Sequence, residues 1–158
     1  MVNKTITLID SPVGELFLEQ REGMLTRLHF VSDGEKQGLE KSGRSDPSAF
    51  REVISQLEAY FRGELREFDV PLLLEGTEFQ KRAWKVLQKI PYGETISYGE
   101  QAIRMGSPKA VRAVGGANHR NPVAIIVPCH RVIGKSGDLT GFGGGLDIKA
   151  RLLELEKV

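Results

Sequence analysis

Ser97-Tyr98-Gly99-Glu100-Gln101-Ala102-Ile103-Arg104-Met105-Gly106-Ser107-Pro108-Lys109-Ala110-Val111-Arg112-Ala113-Val114-Gly115-Gly116-Ala117-Asn118 is the stretch that decides the fold. Ser97 and Glu100 have capping-box spacing, which predicts a short helix running to about Met105. Gly106-Ser107-Pro108 then offers a tight turn, a fresh N-cap and a proline suited to a first helical position. A second helix is expected from Pro108 to about Asn118. Two short helices joined by so brief a turn make a helix-turn-helix, a pattern that serves nucleic-acid binding and ordinary helical packing alike.

The second helix is nearly bare of bulky side chains. Ala110, Ala113, Gly115, Gly116 and Ala117 leave Lys109 and Arg112 as its prominent groups. Each glycine inside a helix costs about 1 kcal/mol relative to alanine. Close approach of another backbone would justify that cost, whether the backbone belongs to the protein core or to a nucleic acid.

Upstream, Thr77 and Gln80 repeat the capping-box pattern and open a helix with Phe79, Ala83, Trp84, Leu87 and Ile90 facing inward. Pro91-Tyr92-Gly93 stops it. A boundary falls near Glu75-Gly76, dividing the chain into domains 1–75 and 76–158. Before that boundary, Thr5–Asp10, Glu15–Glu19 and Leu25–Val31 read as a β-meander broken by Ser11-Pro12-Val13-Gly14 and Arg21-Glu22-Gly23. Ser32–Asp46 is polar and reads as a loop. Asp46-Pro47 supplies an N-cap and a first-turn proline for a helix carrying Phe50, Val53, Ile54, Leu57, Tyr60 and Phe61, which Gly63 ends. Phe68–Leu74 is expected to be a further strand. The fold class is therefore α+β.

Downstream, Val123-Ala124-Ile125-Ile126-Val127 reads as a buried strand, followed by Pro128-Cys129-His130-Arg131-Val132. A glycine-rich, hairpin-like stretch spans Gly134–Gly145, and Ile148–Lys157 reads as a closing helix capped by Asp147. Cys129 is the single cysteine of the chain. A lone cysteine is usually a small buried hydrophobe. Its neighbour His130 is, however, the residue type that activates a thiol, and Glu156 is a candidate to orient that imidazole. Glu154 and Glu156 also lie at a helix C-terminus, where the helix dipole favours cations. A local conflict of that kind often accompanies function.

Charge divides unevenly. Residues 1–75 hold 9 Lys and Arg against 14 Asp and Glu, whereas residues 76–135 hold 10 against 3. The basic middle suits a polyanionic partner. One cysteine excludes an internal disulfide and a cysteine-rich zinc site. Met1-Val2-Asn3-Lys4-Thr5-Ile6 lacks the pattern of a signal peptide, and no apolar run of about 18 residues would span a membrane. A cytoplasmic protein is expected, with no membrane association.

Pro128-Cys129-His130-Arg131-Val132 resembles the active-site signature of the O6-alkylguanine-DNA alkyltransferases. Tyr92-Gly93-Glu94-Thr95-Ile96-Ser97-Tyr98, Arg112-Ala113-Val114-Gly115-Gly116-Ala117, Asn121-Pro122 and Gly141-Phe142-Gly143-Gly144-Gly145 are also similar to that family, in order and spacing. The likeness is close from Gly76 onward. It is looser over residues 1–75, through Asp10-Ser11-Pro12-Val13-Gly14 and Ala59-Tyr60-Phe61-Arg62-Gly63-Glu64. The resemblance implies a ribonuclease-H-like N-terminal domain of meander plus helix, and a winged-helix-like C-terminal domain carrying the helix-turn-helix.

The resemblance also implies roles. Cys129 would accept the alkyl group, His130 would draw its proton through a water, and Glu156 would polarise His130. Asn121 would bridge the DNA-binding helices to the cysteine segment. Tyr98 would contact the flipped guanine and help protonate it, and Arg112 would fill the gap in the base stack. Cys129, Val132, Phe142 and Gly143 would line the base pocket. The implied reaction is DNA repair by irreversible transfer from O6-alkylguanine, and from O4-methylthymine, in duplex DNA bound through the minor groove. Such a reaction needs no cofactor, and a monomer is expected. A thioether offers water no carbonyl to attack, and no second group here would restore the thiol, so one event per protein is expected.

Two positions depart from the family pattern. Phe142 stands where several relatives have tyrosine, and Gly143 where some have serine, which leaves methyl transfer intact and bears on bulkier groups. Some relatives bind zinc in the N-terminal half, but His29 is the only histidine or cysteine in residues 1–75, so no metal is expected. Two other readings compete. A non-catalytic damage-recognition protein or DNA-binding regulator of this fold would lack the cysteine, since alkyltransferase-like proteins carry tryptophan there. A cysteine hydrolase or acyltransferase would turn over repeatedly and leave the helix-turn-helix and Arg112 without a purpose.

Overall fold

The computed structural model describes residues 4–137, 139 and 145–157. The chain divides into two compact units, Met1–Leu74 and Glu75–Val158. In the first unit, β1 (Lys4–Ile9), β2 (Leu16–Arg21) and β3 (Met24–Phe30) form the expected antiparallel meander. The turns follow local chemistry: Ser11 Oγ accepts from the Val13 N–H, and Gly14 and Gly23 take positive φ. Central β2 is buried along Leu16-Phe17-Leu18-Glu19, and Glu19 is accommodated by a 2.6 Å bond from Thr26 Oγ1.

Residues 32–46 are more ordered than their composition suggests. They form a short helix α1 (Lys36–Glu40) and a two-residue strand β4 (Arg44–Ser45) that pairs in parallel with β1. The sheet order is β3-β2-β1-β4. A pairing so short and so distant in sequence leaves no periodic trace. Pro47–Phe50 is a 3₁₀ turn leading into α2 (Arg51–Phe61), whose inward face is Val53, Leu57 and Tyr60. Phe68–Leu74 is not a strand. Pro71 has no N–H to give a ladder, and the segment makes a single bridge, Leu72 to Leu25.

The second unit opens with α3 (Glu78–Leu87). Its capping box at Thr77 and Gln80 is complete in both directions. Gly76 is required just before it, because a Cβ there would lie 2.6 Å from the Trp84 ring. A two-residue strand β5 (Ile96–Ser97) leads into α4 (Tyr98–Arg104), capped by Ser97. The helix α5 (Val111–His119) begins three residues later than Pro108, so the turn between α4 and α5 is longer than expected. That turn is closed by left-handed Gly106 and by the Ser107 N–H bonding to the Ala102 carbonyl.

α3, α4 and α5 meet on a core of small residues, Ala83, Ala102, Val114 and Ala117, with Met105. Small side chains let the helices come close. The Trp84 indole donates to the Ala117 carbonyl at 2.8 Å. Gln101 and Asn118, both buried, exchange amide bonds of 2.9 and 2.7 Å across the α4–α5 contact. After α5 come a two-residue strand β6 (Val132–Ile133), parallel to β5, and the helix α6 (Leu146–Leu155). Helix α6 starts two residues before the expected Ile148, with Gly145 rather than Asp147 as its cap. Much of the glycine-rich 134–145 stretch lies outside the described residues. No described helix is long and apolar enough to cross a membrane.

The reciprocal amide pair makes a clear expectation. Asn118→Leu strands the Gln101 amide and should cost about 2 kcal/mol in urea unfolding. Combining it with Gln101→Met should recover part of that loss. A double variant as unstable as the sum of the two singles would show that the pair does not act as a unit.

Candidate active site

The cysteine is presented by turns, not by a strand. Val123–Val127 is apolar and largely buried, as expected, but it folds into turns. Ile125 has φ +71°, and the Ile126 N–H bonds the Ala124 carbonyl at 2.8 Å, a γ-turn of the rare left-handed kind. A β-branched residue in that region is strained. A second tight turn follows, with the Cys129 N–H on the Val127 carbonyl at 2.8 Å across Pro128. Cys129–Arg131 is then one turn of 3₁₀ helix ending in β6. An apolar run of five residues fits a buried strand and a buried knot of turns equally well, and only Pro128 hinted at the second.

Asn121 holds this knot. Its Nδ2 donates to the Val127 carbonyl at 2.7 Å, and its Oδ1 accepts from the Val123 N–H at 3.0 Å. The Asn121 side chain also favours the thiolate of Cys129. One side chain therefore ties the segment just after α5 to the residues that present Cys129.

Cys129 is half-buried. Burial pushes its thiol up from the usual value, while Asn121 and the Lys149 ammonium pull it down. His130 is fully buried, and its Nε2 lies 2.6 Å from Glu156 Oε2. The same carboxylate takes two bonds from Arg131, Nε to Oε1 at 2.8 Å and a terminal nitrogen to Oε2 at 3.1 Å. The other terminal nitrogen of Arg131 donates to the Ile90 carbonyl at 2.7 Å. With Glu156 held as an acceptor by a guanidinium that stays charged, His130 Nε2 is the donor in their bond. The proton is then on Nε2 and the lone pair on Nδ1. Burial lowers the His130 pKa, with Glu156 opposing and Arg131 and Lys149 assisting, which keeps the ring neutral.

His130 Nδ1 is buried and has no hydrogen-bond partner among the described residues. Thiol and imidazole therefore do not bond directly, and a proton passing between them needs a small bridging group such as water. The arrangement supplies a nucleophile, a base with a fixed tautomer and a carboxylate that fixes it.

The other expected site residues separate into two sets. Tyr98 is the first residue of α4, half-buried, with Lys149 Nζ 5.8 Å from its ring centroid. Val132 is fully buried and pairs with Ile96, one residue before the cap of α4. The β5–β6 pair thus couples the cysteine segment to the helix-turn-helix. Arg112 is exposed on α5, as are Lys109 in the turn before α5 and Arg120 just after it. Phe142 and Gly143 lie outside the described residues.

Sequence reasoning missed Arg131 and Lys149 as site residues. Arg131 stands directly after Cys129-His130, where an arginine can anchor the carboxylate. Lys149, Leu152 and Glu156 are all buried and fall at spacings of three and four, on the inward stripe of α6. A lysine and a glutamate at core positions were the available signal.

Both parts of the chain match family descriptions. Residues 5–74 match the 6-O-methylguanine DNA methyltransferase ribonuclease-like domain, and residues 78–158 match the DNA binding domain of the same name. A methylated-DNA–protein-cysteine methyltransferase of Mycolicibacterium paratuberculosis is 56% identical over 149 residues, covering 94% of this chain and 90% of its own. Another, from Methanosarcina acetivorans, is 54% identical and covers 94% and 96%. The crystal structure of Mycobacterium tuberculosis OGT in complex with DNA superposes with a TM-score of 0.89 at 54% identity, covering 98% of this chain and 92% of that one. The turn-presented cysteine and its histidine–carboxylate support accordingly sit in a chain that belongs to the 6-O-methylguanine DNA methyltransferase family.

Proposed function

We propose that this protein repairs DNA by direct reversal, taking the alkyl group of O6-alkylguanine onto Cys129 in a single irreversible event. The observation that carries this reading is a half-buried thiol backed by a neutral histidine whose free lone pair is on Nδ1. His130 takes the thiol proton through a bridging water, while Glu156 holds its tautomer. Cys129 Sγ attacks the saturated carbon, a C–S bond forms, the C–O bond breaks, and the electron pair stays on guanine O6. The proton released by the thiol ends on the guanine, with Tyr98 as its donor. The product thioether has no route back to thiol, which makes the protein a stoichiometric reagent. O4-methylthymine, an alkyl oxygen of the same kind, is a second substrate.

The site must receive a base extruded from the duplex. Helix α5 suits this purpose. A Cβ at Gly115 or Gly116 would meet nothing within 4 Å, so neither glycine serves packing inside the protein. The slim face is turned outward, and a minor groove about 6 Å wide admits only such a face. Arg112, exposed on the same helix, fills the space the flipped base leaves. The unit 76–158 carries both DNA binding and chemistry, and the unit 1–75 is structural. The protein acts as a monomer in a compartment that keeps thiols reduced, the cytoplasm.

Incubation with duplex DNA containing O6-methylguanine should add one methyl to the intact mass, on Cys129, and never a second. Absence of the mass gain with reduced thiol and intact substrate would overturn the reading. A second expectation has opposite signs for stability and function. Gly115→Ala and Gly116→Ala should each stabilise the fold by up to about 1 kcal/mol, yet weaken binding to duplex DNA several-fold. Stabilised variants with unchanged DNA affinity would remove α5 from the groove.

A further inference from the structure

Helix α3 buries one side and charges the other. Ala83, Trp84 and Leu87 face inward, while Lys81, Arg82 and Lys85 are exposed, with Lys89 exposed in the turn that follows. Lys81, Lys85 and Lys89 fall at spacings of four, a row with about 6 Å of rise between neighbours. Among the described residues no carboxylate pairs with any of the three, whereas Arg104 on α4 is met by Glu100. Glu78, in the first turn, is the one acidic residue of the helix. The inward side is the side that meets the helix-turn-helix. The Trp84 indole bonds the Ala117 carbonyl of α5, and the Ala83 carbonyl accepts from Gln101 of α4. On α5 the inward residues are Val114, Ala117 and Asn118, and Arg112 and Gly116 lie on the opposite side. The lysine row and the slim face of α5 therefore point away from each other across the second unit.

We propose that this lysine row is a second DNA-binding surface, which takes the phosphates of another duplex while α5 occupies the first. The assignment rests on reading α5 as the helix that enters the groove. Three observations support it. First, nothing in the reaction scheme uses these cations, yet with Arg82 they are four of the 10 Lys and Arg in residues 76–135, set against 3 Asp and Glu. Second, evenly spaced point charges on a rigid helix suit a duplex that carries one negative charge per about 1.7 Å of its axis. Third, no large apolar side chain is exposed on α3; Ile103, Val111 and Leu146, which are, lie on α4, α5 and α6. A protein partner calls for an apolar or aromatic centre, and a membrane surface for an apolar face. Phosphate contacts need neither, and they carry no sequence information. Two such surfaces on opposite sides let the protein engage a second duplex before it releases the first. A search for rare damaged bases then passes between DNA segments without a free interval.

Lys81→Gln, Lys85→Gln and Lys89→Gln, combined in one variant, remove the charges and keep the helix preference. Arg82 is left in place because it also bonds the Met105 carbonyl. A fluorescent undamaged duplex is bound first, and its release is timed by stopped flow as unlabelled duplex is raised in excess. For the unmutated protein the release rate should climb with competitor concentration. In the triple variant it should stay flat, several-fold lower at the highest concentration. The rate of methyl transfer from a short duplex, and its dependence on duplex concentration, should be unchanged. A release rate independent of competitor in the unmutated protein, or one that climbs equally in the variant, overturns the proposal. So does a parallel loss of methyl transfer, which would place the row in the primary site. Acceleration by poly-glutamate but not by duplex would assign the face to an acidic protein and overturns it too. Release is timed on undamaged DNA, so failure here leaves the repair reading standing, and failure of the groove reading shows separately in the Gly115 and Gly116 variants.

Discussion

A single carboxylate, buried and shared, organises the second unit of this protein. Glu156 accepts from His130 on one oxygen and from Arg131 on both, at 2.6, 2.8 and 3.1 Å. Removing water from three such groups is expensive, and it is tolerated only when each finds partners. Here the remaining Arg131 donor is taken by the Ile90 carbonyl, beyond the end of α3. The Arg131 guanidinium lies 5.7 Å from the Tyr92 ring centroid, and the Tyr92 hydroxyl donates to the Leu155 carbonyl at 3.3 Å. The end of α3, the cysteine turn and the end of α6 are thereby pinned to one another. Losing one member of so buried a set typically costs about 3–5 kcal/mol. The carboxylate that looks misplaced against the α6 dipole is stabilised by a guanidinium set at the same helix end.

The same interaction explains how a weak base can serve a raised thiol. Burial pushes the Cys129 thiol up and the His130 imidazole down, so charge separation between them is unfavourable at rest. Fixed dipoles and charges offset this. Asn121 and Lys149 favour the thiolate, and Glu156 favours the imidazolium. These groups are in place before the substrate arrives, so little reorganisation is needed when charge develops.

Local signals were legible and long-range ones were not. The capping box at Thr77, the meander turns and the inward stripe of α2 depend on neighbours a few residues apart, and each matched the structure, whereas at Ser97 only the N-cap half of the box forms because the Glu100 carboxylate bonds Arg104 instead. The β4 strand, two residues long and paired in parallel to β1, has no local signature. Val123–Val127 misled because an apolar run specifies burial and not conformation, and the left-handed Ile125 is set by its surroundings. At the site, the Cys-His adjacency drew attention to Cys129, but family likeness rather than spacing selected Glu156. Arg131 and Lys149 escaped because long cations are assumed to be exposed. The glycines of α5 could not be assigned from composition, since core packing and an external partner both call for a slim helix. The empty space around their Cβ positions separates the two.

The central claim is that Glu156 fixes His130 as a neutral ring protonated on Nε2, leaving Nδ1 as the base. Nitrogen-15 NMR of the imidazole reads that state directly. The account predicts, at neutral pH in the unalkylated protein, a protonated Nε2 and an unprotonated Nδ1 for His130. A proton on Nδ1, whether in the other tautomer or in an imidazolium, would contradict it.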